Sequence, residues 1–153
     1  MEAGASGRAR HGGAPILRYV SIDFECETLT ARLDAGGVDR KAKAFFSWLG
    51  VTQYLTRDAV LKSLREIVSA TVAGSEIVAT FVVPTFILNR AESELLAAHS
   101  ERAASVGEPW LSLLGPREMI ALMEQAGFVD VCCFGPEDDP PGLASDAGGP
   151  QVR

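Results

Sequence analysis

The sequence predicts an α/β fold built on a doubly wound, mostly parallel sheet. Apolar runs of strand length alternate along the chain with segments whose apolar residues recur at helical spacing. The run EIVATFVV (76–83) is almost continuously apolar, which is typical of a strand covered on both faces. Strands and helices that alternate in this way are joined by crossover connections, so the strands are expected to run parallel.

Four short segments are predicted as strands because they are apolar and rich in β-branched or aromatic residues. They lie at residues 16–24, 44–51, 76–83 and 128–134. Pro84 follows the third segment and Gly127 precedes the fourth, and both residue types interrupt regular structure.

Four helices are predicted between these strands. They lie at residues 28–35, 57–72, 90–105 and 116–126. Thr28 and Thr56 suit N-cap positions, Pro116 suits a first helical position, and Gly127 suits the end of a helix. An apolar stripe is expected on the second helix at Val60, Leu64, Ile67, Val68 and Val72, and on the last helix at Met119, Leu122, Met123 and Ala126. The third helix has a weaker stripe, at Ala91, Leu95, Ala98 and Ala103.

Length and composition are those of one soluble globular domain, with 153 residues, 47% of them hydrophobic and 22% charged. We expect a disordered leader at 1–15, the domain at 16–137 and a disordered polar tail at 138–153. The net charge of −6 makes nucleic acid a poor partner, and no apolar run reaches the length of a membrane span.

The cysteines and histidines do not predict a metal site. Cys132 and Cys133 are neighbours that would point to opposite faces of a strand, Cys26 is far away in the sequence, and the only histidines are His11 and His99. Reduced, buried thiols in a cytoplasmic protein are the expectation.

Two strand ends carry residues that suit a ligand, because doubly wound sheets bind ligands beyond the carboxyl ends of their strands. Asp23 can accept hydrogen bonds from a ribose or an amine, and Phe24 can lie against a ring, although Asp23 could instead cap the next helix. The second strand end has Ser47, then Trp48, Leu49 and Gly50, for which core packing and a turn are the alternative.

The segment GEPWLSLL (107–114) is a weaker candidate. Glu108 and Trp110 could form a wall over a pocket, and loop packing would explain them equally well.

Four blocks of sequence in the same order resemble one family. They are YVSIDFE, FFSWLGVTQYLT, GSEIVATFVVP and GEPWLSLLGPREMIALMEQAGF. Over about residues 16–137, the chain resembles the bacterial branch of the leucine carboxyl methyltransferase-like family, whose members are class I S-adenosylmethionine-dependent methyltransferases. The resemblance implies methyl transfer to an oxygen or carboxylate of a small molecule, with S-adenosylmethionine as the cofactor.

The resemblance also implies a place for each segment in the family sheet, whose strand order is 3-2-1-4-5-7-6. Residues 16–24, 44–51, 76–83 and 128–134 then correspond to strands 3, 4, 5 and 6, in a partial Rossmann-like sheet. Strand 7 has no counterpart in the polar tail.

By the same resemblance, Asp23 and Phe24 lie near the adenine, and Ser47, Trp48, Leu49 and Gly50 line the cofactor pocket. Many relatives have a glutamate in place of Leu49, which weakens a polar role for this position. Glu108 and Trp110 would lie on the substrate side, and no residue is predicted as a catalytic base.

The family's first strand and glycine-rich cofactor loop have no counterpart in the sequence. We therefore expect a C-terminal fragment that is inactive alone and binds the cofactor weakly or not at all. The alternatives are a non-catalytic fragment that self-associates through unpaired sheet edges, and the product of a frameshifted gene.

Overall fold

The structure is a computed structural model that describes residues 19–24, 26–135, 138 and 151–152. Its helices are α1 (Leu29–Ala35), α2 (Arg57–Ala70), α3 (Arg90–Ser105) and α4 (Pro116–Ala126). Its strands are β1 (Phe45–Trp48), β2 (Glu76–Ala79), β3 (Phe128–Val129) and β4 (Gln151–Val152). The four predicted helices are thus confirmed to within two residues at either end.

Local hydrogen bonds fix the ends of these helices. The Thr28 hydroxyl accepts from the Ala31 N–H at 3.4 Å, and the Thr56 hydroxyl accepts from the Ala59 N–H at 3.2 Å, so both predicted N-caps are confirmed. Gly127 ends α4 in the left-handed conformation, with φ of +112°, which favours glycine.

Asn89 and Glu92 form a capping box at the start of α3 that the sequence analysis missed. The Asn89 side chain accepts from the Glu92 N–H, and the Glu92 carboxylate accepts from the Asn89 N–H, each at 3.0 Å.

The four strands form one mixed sheet in the order β1-β2-β4-β3. β1 and β2 are parallel and pair in register from Phe45 opposite Glu76 to Trp48 opposite Ala79. β4 is antiparallel to both β2 and β3, so β3 runs in the same direction as β1 and β2.

The strand predictions were only partly correct. Residues 19–24 form no strand. Within the described residues the sheet ends at β1, so no neighbouring strand is present with which they could form backbone hydrogen bonds. Positions 16–18 lie outside the described residues. The segment predicted as a strand at 128–134 pairs only at Phe128 and Val129, since its partner β4 is two residues long.

The tail was predicted to be without structure, yet its residues Gln151 and Val152 form β4. The leader at 1–15 and the tail residues 139–150 lie outside the described residues, so disorder there stays a prediction.

The core lies between one face of the sheet and the helices α2 and α4. Trp48 and Ile77 point to this face and are buried, whereas Phe45 and Val78 point to the opposite face and are 65% and 43% exposed. The buried helical residues include Val60, Leu64, Ile67, Met119, Leu122, Met123 and Ala126. The predicted stripe of α4 is therefore confirmed, and that of α2 is confirmed in its central residues.

Helix α3 does not contribute to this core. None of its residues is buried, and Leu95 in its predicted apolar stripe is 60% exposed. It packs mainly against a short 3-10 turn, Thr85–Ile87. This agrees with the weaker stripe predicted for this helix, because a stripe with three alanines can bury only a small apolar surface.

Candidate functional site

The candidate site lies at the carboxyl end of β1. Trp48 is the last residue of the strand and is buried, whereas Ser47, Leu49 and Gly50 are exposed. This alternation leaves one aromatic side chain in the core and three small or apolar positions open to a ligand.

The structure brings the two predicted strand ends together through an aromatic contact. The rings of Phe24 and Trp48 pack at a tilt of 46° with centroids 6.3 Å apart, within the range of favourable aromatic pairs. Phe24 is half-buried, and its carbonyl accepts from Lys62 Nζ of α2 at 3.4 Å. Phe24 is thus held beside Trp48 without a strand to carry it.

Asp23 stands exposed at the start of the turn that leads into α1. Its carbonyl accepts from the Cys26 and Glu27 N–H groups, and its own N–H donates to Glu27 Oε2 at 2.9 Å. Helix α1 is capped by Thr28, so Asp23 does not supply that cap.

Glu27 stabilises this turn as an anion. Its Oε1 is paired with Arg32, and its Oε2 accepts from the Asp23 N–H. The Arg32 side chain, and then the Asp23 backbone hydrogen bond, lower the pKa of the Glu27 carboxyl from its ordinary value.

Gly50 adopts a left-handed conformation, with φ of +69°, directly after β1. A Cβ placed on it would meet no atom within 4 Å, so the glycine is required by its backbone conformation and the space beside it is open. Its N–H donates to Thr80 Oγ1 at 2.8 Å, and its carbonyl accepts from Gln53 Nε2 at 3.1 Å.

Sequence reasoning missed Thr80 and Gln53. The available signals were a hydroxyl inside the apolar run 76–83 and an amide residue soon after β1, and neither reveals a partner until the register of β1 on β2 is known.

The segment that contains Trp110 is attached to the exits of both parallel strands. The Leu111 and Ser112 N–H groups donate to the Gln53 carbonyl at 2.7 and 3.2 Å, and the Leu114 N–H donates to the Val82 carbonyl at 2.9 Å. Trp110 is half-buried, whereas Glu108 is exposed next to the end of α3. Trp110 therefore lies in a segment bound to the β1 exit, whereas the Glu108 N–H donates to the Ala103 carbonyl of α3 at 3.0 Å.

The indole N–H groups of Trp48 and Trp110 are enclosed, and neither has a hydrogen-bond acceptor among the described residues. An unpaired buried donor costs about 1–3 kcal/mol, and such groups often lie where something else binds. The Phe24–Trp48 aromatic pair, the exposed Asp23 next to it in the sequence and the open turn at Gly50 are the features of the β1 exit that could contact a ligand.

A separate apolar cavity of about 490 Å³ lies along β2 and the segment 131–134. Ile77, Val78, Met119 and Phe134 line part of it, and none of the predicted site residues does. Cys133 also lines it, and burial raises the pKa of its thiol.

The expectation that the cysteines are buried was wrong: Cys26 and Cys132 are exposed and Cys133 is half-buried. In the part of the chain that the structure describes, no three histidine, cysteine or acidic side chains form a group that could hold a metal ion. None of the described helices is both long enough and apolar enough to cross a membrane.

Comparison with known proteins gives one family. The family model described as leucine carboxyl methyltransferase matches residues 7–68, a stretch that includes Asp23, Phe24 and Ser47–Gly50. The chain is 29% identical over 123 residues to a Bacillus subtilis (strain 168) protein provisionally named S-adenosyl-L-methionine-dependent methyltransferase YktD.

That alignment covers 80% of this chain and 40% of the relative, so the chain spans about two fifths of the relative's length. No solved structure matches the chain. The family model and the bacterial relative agree with the four sequence blocks, and both support the leucine carboxyl methyltransferase family for this chain.

Proposed function

We propose that this chain forms part of an S-adenosylmethionine-dependent methyltransferase domain, and that its β1 exit is one wall of the cofactor site. The contact between Phe24 and Trp48 carries the proposal. It joins two segments, far apart in sequence, that the family resemblance independently assigns to the cofactor pocket.

The sheet topology supports the same proposal. The order β1-β2-β4-β3 corresponds to the order of strands 4, 5, 7 and 6 in the family sheet. On this reading, β4 takes the place of strand 7. Residues 19–24 would correspond to strand 3, which is not a neighbour of strand 4 in the family order and so gains no ladder here.

The residues of the wall have distinct roles in this proposal. Phe24 presents aromatic surface to the adenine, with the buried Trp48 ring packed against it, and the Asp23 carboxylate accepts from the ribose hydroxyls. Leu49 and Gly50 border the open space beside the turn. The bound cofactor supplies an electrophilic methyl group, and the protein contributes by positioning it against an oxygen or carboxylate of a small-molecule acceptor.

We also propose that the 153-residue chain alone does not catalyse methyl transfer. The described residues supply one wall, the free edge of β1 is unpaired among them, and the site is open beside Gly50. Glu108 and Trp110 belong to the acceptor side of a complete site. Positioning a methyl group for in-line transfer needs contacts on several sides of the cofactor, which this arrangement does not provide.

Tryptophan fluorescence tests the wall directly, because the chain contains two tryptophans. In a Trp110→Phe variant only Trp48 emits, and S-adenosylhomocysteine should change that emission with a dissociation constant weaker than about 0.1 mM, as a single wall would give. In a Trp48→Phe variant, the emission of Trp110 should change less.

The Asp23→Asn variant provides the matched test of the ribose contact. It should weaken binding about tenfold, as expected for loss of a hydrogen bond to a charged group. Asp34→Asn, at an exposed carboxylate of α1, should leave binding unchanged. A micromolar dissociation constant would contradict the incomplete site, and no response of Trp48 at millimolar ligand would contradict the wall itself.

A further inference from the structure

The Gly50 peptide is held on both sides by side chains. Its N–H donates to the Thr80 hydroxyl and its carbonyl accepts from the Gln53 amide, so both polar groups are occupied by the protein. These two contacts lock the left-handed turn that follows β1. Neither contact is by itself evidence for a bound ligand.

Thr80 binds the β1 exit through all three of its polar groups. Its N–H donates to the Trp48 carbonyl at 3.2 Å, its Oγ1 accepts from the Gly50 N–H, and its carbonyl accepts from the Thr52 hydroxyl at 2.9 Å. Thr52 is almost completely buried, at 1% exposure, so the last contact is anchored in the core. Thr80 thus holds Trp48, Gly50 and Thr52 of the β1 exit against the end of β2.

Gln53 connects the same turn to the segment that contains Trp110. Its side chain binds the Gly50 carbonyl, while its own carbonyl accepts from the Leu111 and Ser112 N–H groups. Gln53 is buried, at 8% exposure, and has little freedom to move. A change in the Gly50 turn would therefore be transmitted to the Trp110 segment through one residue.

We infer that Thr80 and Gln53 are positioning residues, which set the Gly50 turn and couple it to the segment 108–114. The effect of these residues on ligand binding rests on the proposed cofactor wall. Their effect on the Gly50 turn rests only on the hydrogen bonds described above. Gly50 and Thr80 are both exposed, so water can replace the lost bond in a variant. The population of the turn should change while the stability of the fold stays nearly constant.

The test compares Thr80→Val, which removes the hydroxyl at constant shape, with Thr80→Ser, which keeps it. NMR measures the hydrogen exchange of the Gly50 amide in the full chain. Exchange should be about fivefold faster in the valine variant, from the loss of one hydrogen bond, and close to wild type in the serine variant. Gln53→Met should also accelerate it, by freeing the carbonyl side of the turn.

Thr71→Val is the matched control, since it removes a threonine hydroxyl that bonds to the Ile67 carbonyl at 2.9 Å, far along the chain from Gly50. It should leave Gly50 exchange unchanged. Equal Gly50 exchange in wild type and Thr80→Val would overturn the positioning role, as would a serine variant that behaves like valine.

A parallel titration with S-adenosylhomocysteine separates this inference from the proposed function. If wild type binds, Thr80→Val should bind about fivefold more weakly at unchanged thermal stability, whereas Thr80→Ser should bind as wild type does. If wild type shows no binding, the cofactor wall fails, and the exchange rates alone still decide whether Thr80 sets the turn.

Discussion

At the scale of single residues, the candidate site combines predictable aromatic side chains with polar contacts that depend on register. Phe24, Trp48 and Gly50 were predicted as candidates because doubly wound sheets bind ligands beyond the carboxyl ends of their strands, with core packing as the alternative. Thr80 and Gln53 could not be predicted, since their roles arise only when β1 lies beside β2 with Trp48 opposite Ala79.

Acid should loosen the turn that carries Asp23. Because the folded-state pKa of Glu27 is lowered, the ionised carboxylate stabilises the turn fully above its ordinary pKa, and this contribution is lost as the pH falls through the lowered value. The Asp23 amide resonance, followed by NMR between about pH 6 and pH 2, should therefore shift as Glu27 gains its proton.

Glu27→Gln should make the pH-dependent shift of the Asp23 amide smaller, because the glutamine amide carries no charge to lose. Glu94→Gln, at an exposed carboxylate that pairs with Arg90 on α3, is the control and should leave that shift as in wild type. Equal shifts of the Asp23 amide in wild type and Glu27→Gln would contradict the assigned role of Glu27.

At the scale of helices and strands, the sequence predicted what is local and failed where partners are distant. Helices α2 and α4 have apolar stripes and recognisable ends. Both features depend on residues that are close together in the sequence. Strands depend on a neighbour that sequence pattern does not specify, so the segment at 19–24 stays unpaired and β3 stops at Val129.

Burial predicts a large difference between two leucines on different helices. Leu122 of α4 is completely buried, whereas Leu95 of α3 is 60% exposed. Leu122→Ala should lower the free energy of unfolding by about 2–5 kcal/mol, through lost burial and a cavity. Leu95→Ala should change it by less than about 0.5 kcal/mol.

Urea unfolding followed by circular dichroism measures both changes. Equal effects of the two substitutions would contradict the assignment of α4 to the core and of α3 to the surface.

At the scale of the whole molecule, the sheet is covered on one face only. Helices α2 and α4 cover the face with Trp48 and Ile77, and the face with Phe45 and Val78 is open within the described residues. β1 lies at the end of the sheet order and is an edge strand there. Self-association through such an edge stays a prediction, as does a small-molecule methyl acceptor.

The cofactor wall that we propose lies where the two parallel strands end. It consists of Phe24, Trp48 and the Gly50 turn. The apolar cavity beside β2 is the competing location for a ligand, because its volume lies within the usual range for small-molecule sites.

A chemical-shift map of the isotope-labelled chain with millimolar S-adenosylhomocysteine separates these two locations most directly. The account predicts that the largest shifts fall on Phe24, Leu49, Gly50 and the Trp48 indole N–H, with Ile77 and Phe134 unchanged. Shifts confined to the lining of the β2 cavity, or no shift at the β1 exit at any ligand concentration, would contradict it.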